Sequence, residues 1–205
     1  MKKPITKRML LLVLTGLLFM GFEGKTQDDF GKRLAEAKSA YAANKLSDAR
    51  FAMQQMMYEI DLVIGKNVLK LLPAKMDGIA ANAANDNVSG ASGFIGVIVH
   101  RDFGRENSDS SISLEVINNS PLLVALNSLL AMPILVNGQD RKVVKVAGYK
   151  ALVEATTDSG TKKGQQVQVP VGNTLIMLKL NSGDQDKAIR LAETIPIADI
   201  AKLAQ

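Results

Sequence analysis

The 205-residue chain has no cysteine and no tryptophan, a single histidine, and 25 Lys+Arg against 20 Asp+Glu, a net charge of +5. Without thiols there is no disulfide staple, no cysteine-ligated metal, no thiol catalysis and no lipid-modified cysteine, so the fold must be held by its core. The length suffices for one or two domains with a proper apolar interior, and an aromatic content of 4% argues against stacking-based recognition of sugars or bases.

Residues 1–26 open with Lys2, Lys3, Lys7 and Arg8. They continue through the apolar run Met9–Met20 and leave through small residues at Gly21, Gly24 and Thr26. A basic start, an apolar middle and a small-residue exit predict a signal peptide. The run falls short of the roughly 20 residues that span a bilayer, so no stable membrane anchor is expected once the leader is removed. The protein is thus predicted to be exported, periplasmic or secreted, of bacterial type. Removing Lys2, Lys3, Lys7, Arg8, Lys25 and Glu23 leaves 20 basic against 19 acidic residues. No basic block survives to displace counterions from phosphates, and no nucleic-acid partner is predicted.

Residues 27–73 predict an antiparallel helical hairpin. The first helix, about 29–43, carries Phe30, Leu34, Ala37 and Tyr41 on one stripe; the second, about 47–72, repeats Met53, Met56, Ile60, Val63, Val68 and Leu71 at three-to-four spacing. Asn44 suits a left-handed C-cap, Ser47 or Asp48 an N-cap, and Pro73 ends the second helix. Around the turn, Asn44, Leu46, Ala49, Met53 and Met56 fall where a tetratricopeptide repeat places its turn and packing residues. Residues 37–56 thus resemble half of one such unit, which implies a packed helical pair. The repeat's leading aromatic and closing proline are missing, and no second copy follows. Met53, Met56 and Met57 make a soft apolar patch, read as core packing or as a partner-binding surface.

Residues 74–92 are small and polar and read as a linker or long loop. From Gly93 the hydrophobic period becomes two. Gly93–Phe103 predicts a strand with Ile95, Val97 and Val99 on one face and Phe94, Ile98 and His100 on the other. A turn at 107–110 leads to a returning strand over 111–118, with Ile112, Leu114 and Val116 inward. Asn119-Ser120-Pro121 starts a helix rich in leucine that Pro133 stops. Strands follow at 141–147, 149–156, 165–171 and 173–180. The third of these, alternating Val167, Val169 and Val171 with Gln166, Gln168 and Pro170, is expected at a sheet edge. Helices after Ser182-Gly183-Asp184 and after Pro196 complete the chain. The order β-β-α-β-β-β-β-α-α over residues 93–205 predicts an α+β fold, an antiparallel sheet with helices packed on one face.

The run Val144, Val146, Gly148, Tyr149, Ala151, Val153, followed by two strands and then Asp186, Ala188, Leu191, Ala192 and Ile195, resembles the sheet-and-helix layout of secreted PsbP-like and anti-sigma-associated domains. The resemblance covers residues 141–195 and implies a non-catalytic fold, with no binding residue carried over.

Chemical motifs are sparse. His100-Arg101-Asp102-Phe103-Gly104 contains pieces of two kinase loops, but one aspartate would have to serve as both base and magnesium ligand, and a strand running into a charged turn is the simpler reading. A lone histidine rules out a histidine relay, and His100 reads as a half-buried strand residue. Gly90-Ala91-Ser92-Gly93 misses the last glycine of a nucleophile elbow. Asp184 and Asp186 read as first-turn helix acids. The expectation is therefore a non-enzymatic exported protein with a binding or assembly role in the cell envelope and no cofactor. Two alternatives stand beside it. One is a carrier of a small apolar ligand or lipid in a cavity lined by Leu126, Leu130, Val146 and Val153; the other is a hydrolase with a carboxylate site at Asp102 and Glu115.

Overall fold

Side-chain alternation in the C-terminal two-thirds of the chain builds the sheet that dominates the molecule. The computed structural model describes residues 24–90, 96–105, 108–132, 138, 140–157 and 163–204. Residues 1–23, on which most of the expected signal peptide falls, and Ser92, Phe94, Ile95 and Pro133 lie outside the described residues. The chain divides into two compact units, the first ending at Glu59 and the second beginning at Ile60.

In the first unit, α1 (Gly24–Ala42) and the start of α2 (Leu46–Leu71) form a helical pair. The turn between them places Asn44 at φ 57°, and Lys45 N donates to Ala40 O at 2.9 Å, the closing bond of a left-handed C-cap. The predicted Asn44 break holds; Ser47 and Asp48 lie within the first turn of α2, whose first backbone bond runs from Ala49 N to Lys45 O. Buried residues here are small, namely Ala37, Ala49 and Ala52.

In the second unit, β1 (Lys75–Met76) and β2 (Ile79–Ala80) form a small hairpin. Seven further strands form one sheet: β3 (Asn87–Gly90), β4 (Val97–Phe103), β5 (Ile112–Asn118), β6 (Arg141–Val146), β7 (Tyr149–Thr157), β8 (Lys163–Val171) and β9 (Thr174–Leu180). Their spatial order is β3-β4-β5-β9-β8-β7-β6, and every pairing is antiparallel. Helices α3 (Leu122–Ala131), α4 (Gln185–Ala192) and α5 (Ile197–Ala204) complete an α+β fold in the predicted element order.

One sheet face carries Val97, Val99, Phe103, Leu114, Val116, Val153, Val167, Val169, Ile176 and Leu178. It is covered by Val68 of α2 and Leu72 just beyond it, by Ala188 and Leu191 of α4, and by Ile197 and Ile200 of α5. On the other face Ile117, Leu152 and Leu175 pack under Leu123, Leu126 and Leu130 of α3. Helices on a single face were expected. α3 takes the second face because these out-of-phase strand residues are themselves apolar and need cover.

Two boundaries and the place of one strand differ from the sequence reading. Residues 74–90 are not a linker: they hold β1, β2 and β3, with Val88 opposite Val99 of β4. The helical segment 27–73 is not a unit of its own, since the part of α2 from Ile60 onward belongs with the sheet. β8 is an interior strand between β9 and β7. Pro170 is tolerated there because the recorded β7–β8 ladder stops at Leu152↔Gln168, two residues before it, where no N–H is called for.

Candidate functional site

The alternation of β4 sends Val97, Val99 and Phe103 into the main core and Ile98, His100 and Asp102 to the opposite face. Antiparallel register then sets His100 opposite Glu115 and Asp102 opposite Ser113. Three titratable groups meet as a result. His100 Nε2 lies 3.0 Å from Asp102 Oδ1, and His100 Nδ1 lies 3.3 Å from Glu115 Oε1. Asn85, from the segment ahead of β3, donates from Nδ2 to Asp102 Oδ2 at 3.3 Å.

The imidazole therefore has a carboxylate at each ring nitrogen. Both contacts are hydrogen bonds only when both nitrogens carry protons, that is, when His100 is charged. Burial by itself lowers the pKa of His100, but the hydrogen bond and charge of Asp102, then those of Glu115, outweigh it and leave the pKa raised. The side chains remain partly open to solvent, at 27% for His100, 15% for Asp102 and 33% for Glu115. The cluster can hold a positive charge on the sheet face or exchange a proton with water.

It is not built to chelate. Its two carboxylates address different ring nitrogens instead of sharing a vacant point with one of them, and among the described residues no group of three or more His, Asp or Glu could hold a metal ion. Asp102 and Glu115, paired from the sequence as a candidate hydrolytic site, are thus brought to one place but separated by the imidazole.

The other sequence candidates are placed as follows. Met53 and Met57 are exposed, at 60% and 59%, while Met56 is half-buried, so the methionine patch is largely a surface feature of the first unit. Beside it, the two helices of that unit flank an open groove of about 620 Å3, lined by Arg33, Glu36, Lys45, Asp48 and Phe51 among others. The cavity expected among Leu126, Leu130, Val146 and Val153 is not formed. Leu126 and Leu130 belong to the α3 layer, and Val146 and Val153 to the core on the opposite face. Sequence periodicity could not assign them to opposite faces, because β6 and β7 bury apolar residues in both phases. Asp184 caps α4, accepting from Lys187 N at 2.7 Å, and Asp186 pairs with Lys142.

Asn85 and Asp86 escaped the sequence reading. Asp86 binds the Arg101 guanidinium in bidentate fashion, and Arg101 also donates to Leu72 O at 2.9 Å, so both faces of β4 hold the 82–86 segment through side chains. Only their polarity could have drawn notice, and that is shared with every loop.

Comparison with known proteins identifies no relative: no family model, no curated protein and no solved structure matches the chain.

Proposed function

We propose that the chain is an exported protein that acts in binding or assembly in the cell envelope through its outer surface rather than through an enclosed site. The observation that carries this reading is the distribution of apolar side chains. Both sheet faces are filled, and the cavity between α2 and the sheet, bordered by Ile64, Val68, Val97 and Val116, measures only about 10 Å3, less than any organic ligand requires. The apolar residues left over, among them Phe51, Met53, Met57 and Val124 on helices and Met132 at the end of α3, stand exposed. Met53 and Met57, one turn apart on α2, are neighbouring exposed apolar groups of the kind that can mark a contact site when they form a contiguous patch.

Export is supported by the leader composition of residues 1–26. Cell fractionation followed by N-terminal sequencing tests it: the mature protein is expected outside the cytoplasm and shortened at its start. Full-length chain confined to the cytoplasm would refute the localisation. The binding role is tested by chemical cross-linking in intact cells, where Met53→Ser with Met57→Ser is expected to remove a cross-linked species that the parent forms. An unchanged pattern would remove the methionine patch from the reading.

A further inference from the structure

α3 presents an unusual surface. Its inner residues Leu123, Leu126 and Leu130 are buried on the sheet, yet Leu122, Val124, Leu129 and Met132 are exposed, Val124 at 78%. The helix and its flanking Met132 contain no charged residue at all. Its Ser128 hydroxyl is turned back onto Val124 O at 2.9 Å, so the outer face offers aliphatic carbon with little hydrogen-bonding capacity beyond Asn127. A helix that is apolar all round belongs in a larger apolar environment.

The rim of this face is basic. Lys145 and Lys150 sit directly opposite each other across β6 and β7, on the side of the sheet that α3 covers, and both are exposed. Lys150 Nζ lies 3.5 Å from Leu130 O, which places its ammonium at the C-terminal end of α3. Like charges opposed across a ladder are destabilising. The acidic groups on this face are engaged elsewhere: Glu154 accepts from Gln168 at 2.7 Å and lies 3.8 Å from Arg141, while Asp102 and Glu115 hold His100.

We propose that the outer face of α3, with Lys145 and Lys150 at its edge, docks reversibly on an anionic lipid surface. Aliphatic side chains enter the headgroup boundary, and the lysines meet lipid phosphates. A second copy of this chain is a poorer occupant. The face lacks polar groups to fix the register of one α3 against another, whereas a fluid bilayer needs none. This inference deepens the proposed envelope role by naming a lipid surface as partner.

The test is sedimentation of the purified exported form, lacking residues 1–26, with vesicles of phosphatidylcholine, with and without phosphatidylglycerol. Binding is expected to require phosphatidylglycerol and to weaken as salt is raised. At about one factor of five per lysine, Lys145→Ala with Lys150→Ala should lower the partition coefficient about 25-fold. Val124→Asp should lower it strongly as well, and at a position 78% exposed it leaves the core intact; Leu122→Gln gives a second, milder probe. Residues 1–26, basic and apolar, would bind anionic vesicles by themselves and mask the variants, so parent and variants are compared without them. Equal partition to both vesicle types, or parent-like binding by the variants, would overturn the proposal. A concentration-dependent dimer abolished by Val124→Asp would overturn it too, by assigning the face to self-association. Vesicle binding by a chain that stays in the cytoplasm would refute export and leave this inference standing, and the reverse result would separate the two the other way.

Discussion

Arg101 and Asp86 form a bidentate pair, with Nε 2.9 Å from Oδ1 and a second bond from the other guanidinium nitrogen, on side chains only 13% and 14% exposed. Arg101 spends a further donor on Leu72 O at the end of α2. One side chain thereby fastens β4 to the helix end and to the 82–86 segment, and the carboxylate of Asp86 holds the Arg101 pKa above its ordinary value against the opposing effect of burial.

Removing one partner of a pair this sheltered strands the other. Arg101→Met is expected to lower unfolding free energy by about 3 kcal/mol in urea titrations. The double variant with Asp86→Leu should recover part of that loss, since no uncompensated charge remains. Equal losses in the single and double variants would show that the pair matters through Arg101–Leu72 alone.

His100 is the sole histidine, so its ring signals in an NMR titration need no assignment. Its folded pKa is raised above the ordinary 6.5. A raised histidine pKa stabilises the fold fully below 6.5 and loses that contribution as pH climbs through the folded value. Thermal melting temperature should therefore fall on going from below pH 6.5 to pH values above the folded midpoint. Asp102→Asn should move the His100 midpoint down and flatten that dependence, and Glu115→Gln should do so to a smaller extent. A midpoint that ignores both substitutions would dissociate the carboxylates from the ring.

Gly65 lies within α2 where the helix closes on the sheet. A methyl group there would stand 2.5 Å from Val97 Cγ1 and 2.7 Å from Val88 Cγ1. Alanine ordinarily gains up to about 1 kcal/mol over glycine inside a helix. Here two stiff valines cannot yield, and Gly65→Ala should instead cost about 1–3 kcal/mol. Chemical denaturation decides the sign.

Asp61, one turn before Gly65, borders the small cavity against Val97 and Val116. Burial pushes its pKa up. A carboxyl raised on folding contributes stability below its ordinary value of 3.8 and loses it as pH rises through the folded value, so the charged form is a burden near neutrality. Asp61→Asn should raise the melting temperature at pH 7 and leave it unchanged near pH 3. A gain of the same size at both pH values would point to packing instead of charge.

The contrast between what could and could not be read in advance has physical causes. β4, β5 and the helix after Pro121 were legible because Val97/Val99, Ile112/Leu114/Val116 and Leu123/Leu126/Leu130 repeat at the period of their elements. β3 was not, because Asn87-Val88-Ser89-Gly90 holds one large apolar residue and owes its extended form to the ladder with β4. His100 and Asp102 fall on one face by simple alternation. Glu115 joins them only through the β4–β5 register, and Asn85 only through the path of a loop. The interior position of β8 contradicted a proline rule that applies only where a ladder bond is needed.

The order β5-β9-β8 has a consequence for how the molecule comes into being. The seam between β5 and β9 joins Asn118 to Thr174 and encloses all of α3, β6, β7 and β8. During synthesis from the N-terminus, α2, β3, β4 and β5 emerge well before β9, and the β5 edge stays unpaired until Thr174–Leu180 arrives near the end of the polypeptide. Such late closure slows folding. A sheet whose middle strand is made nearly last stays in two separate parts for most of its synthesis.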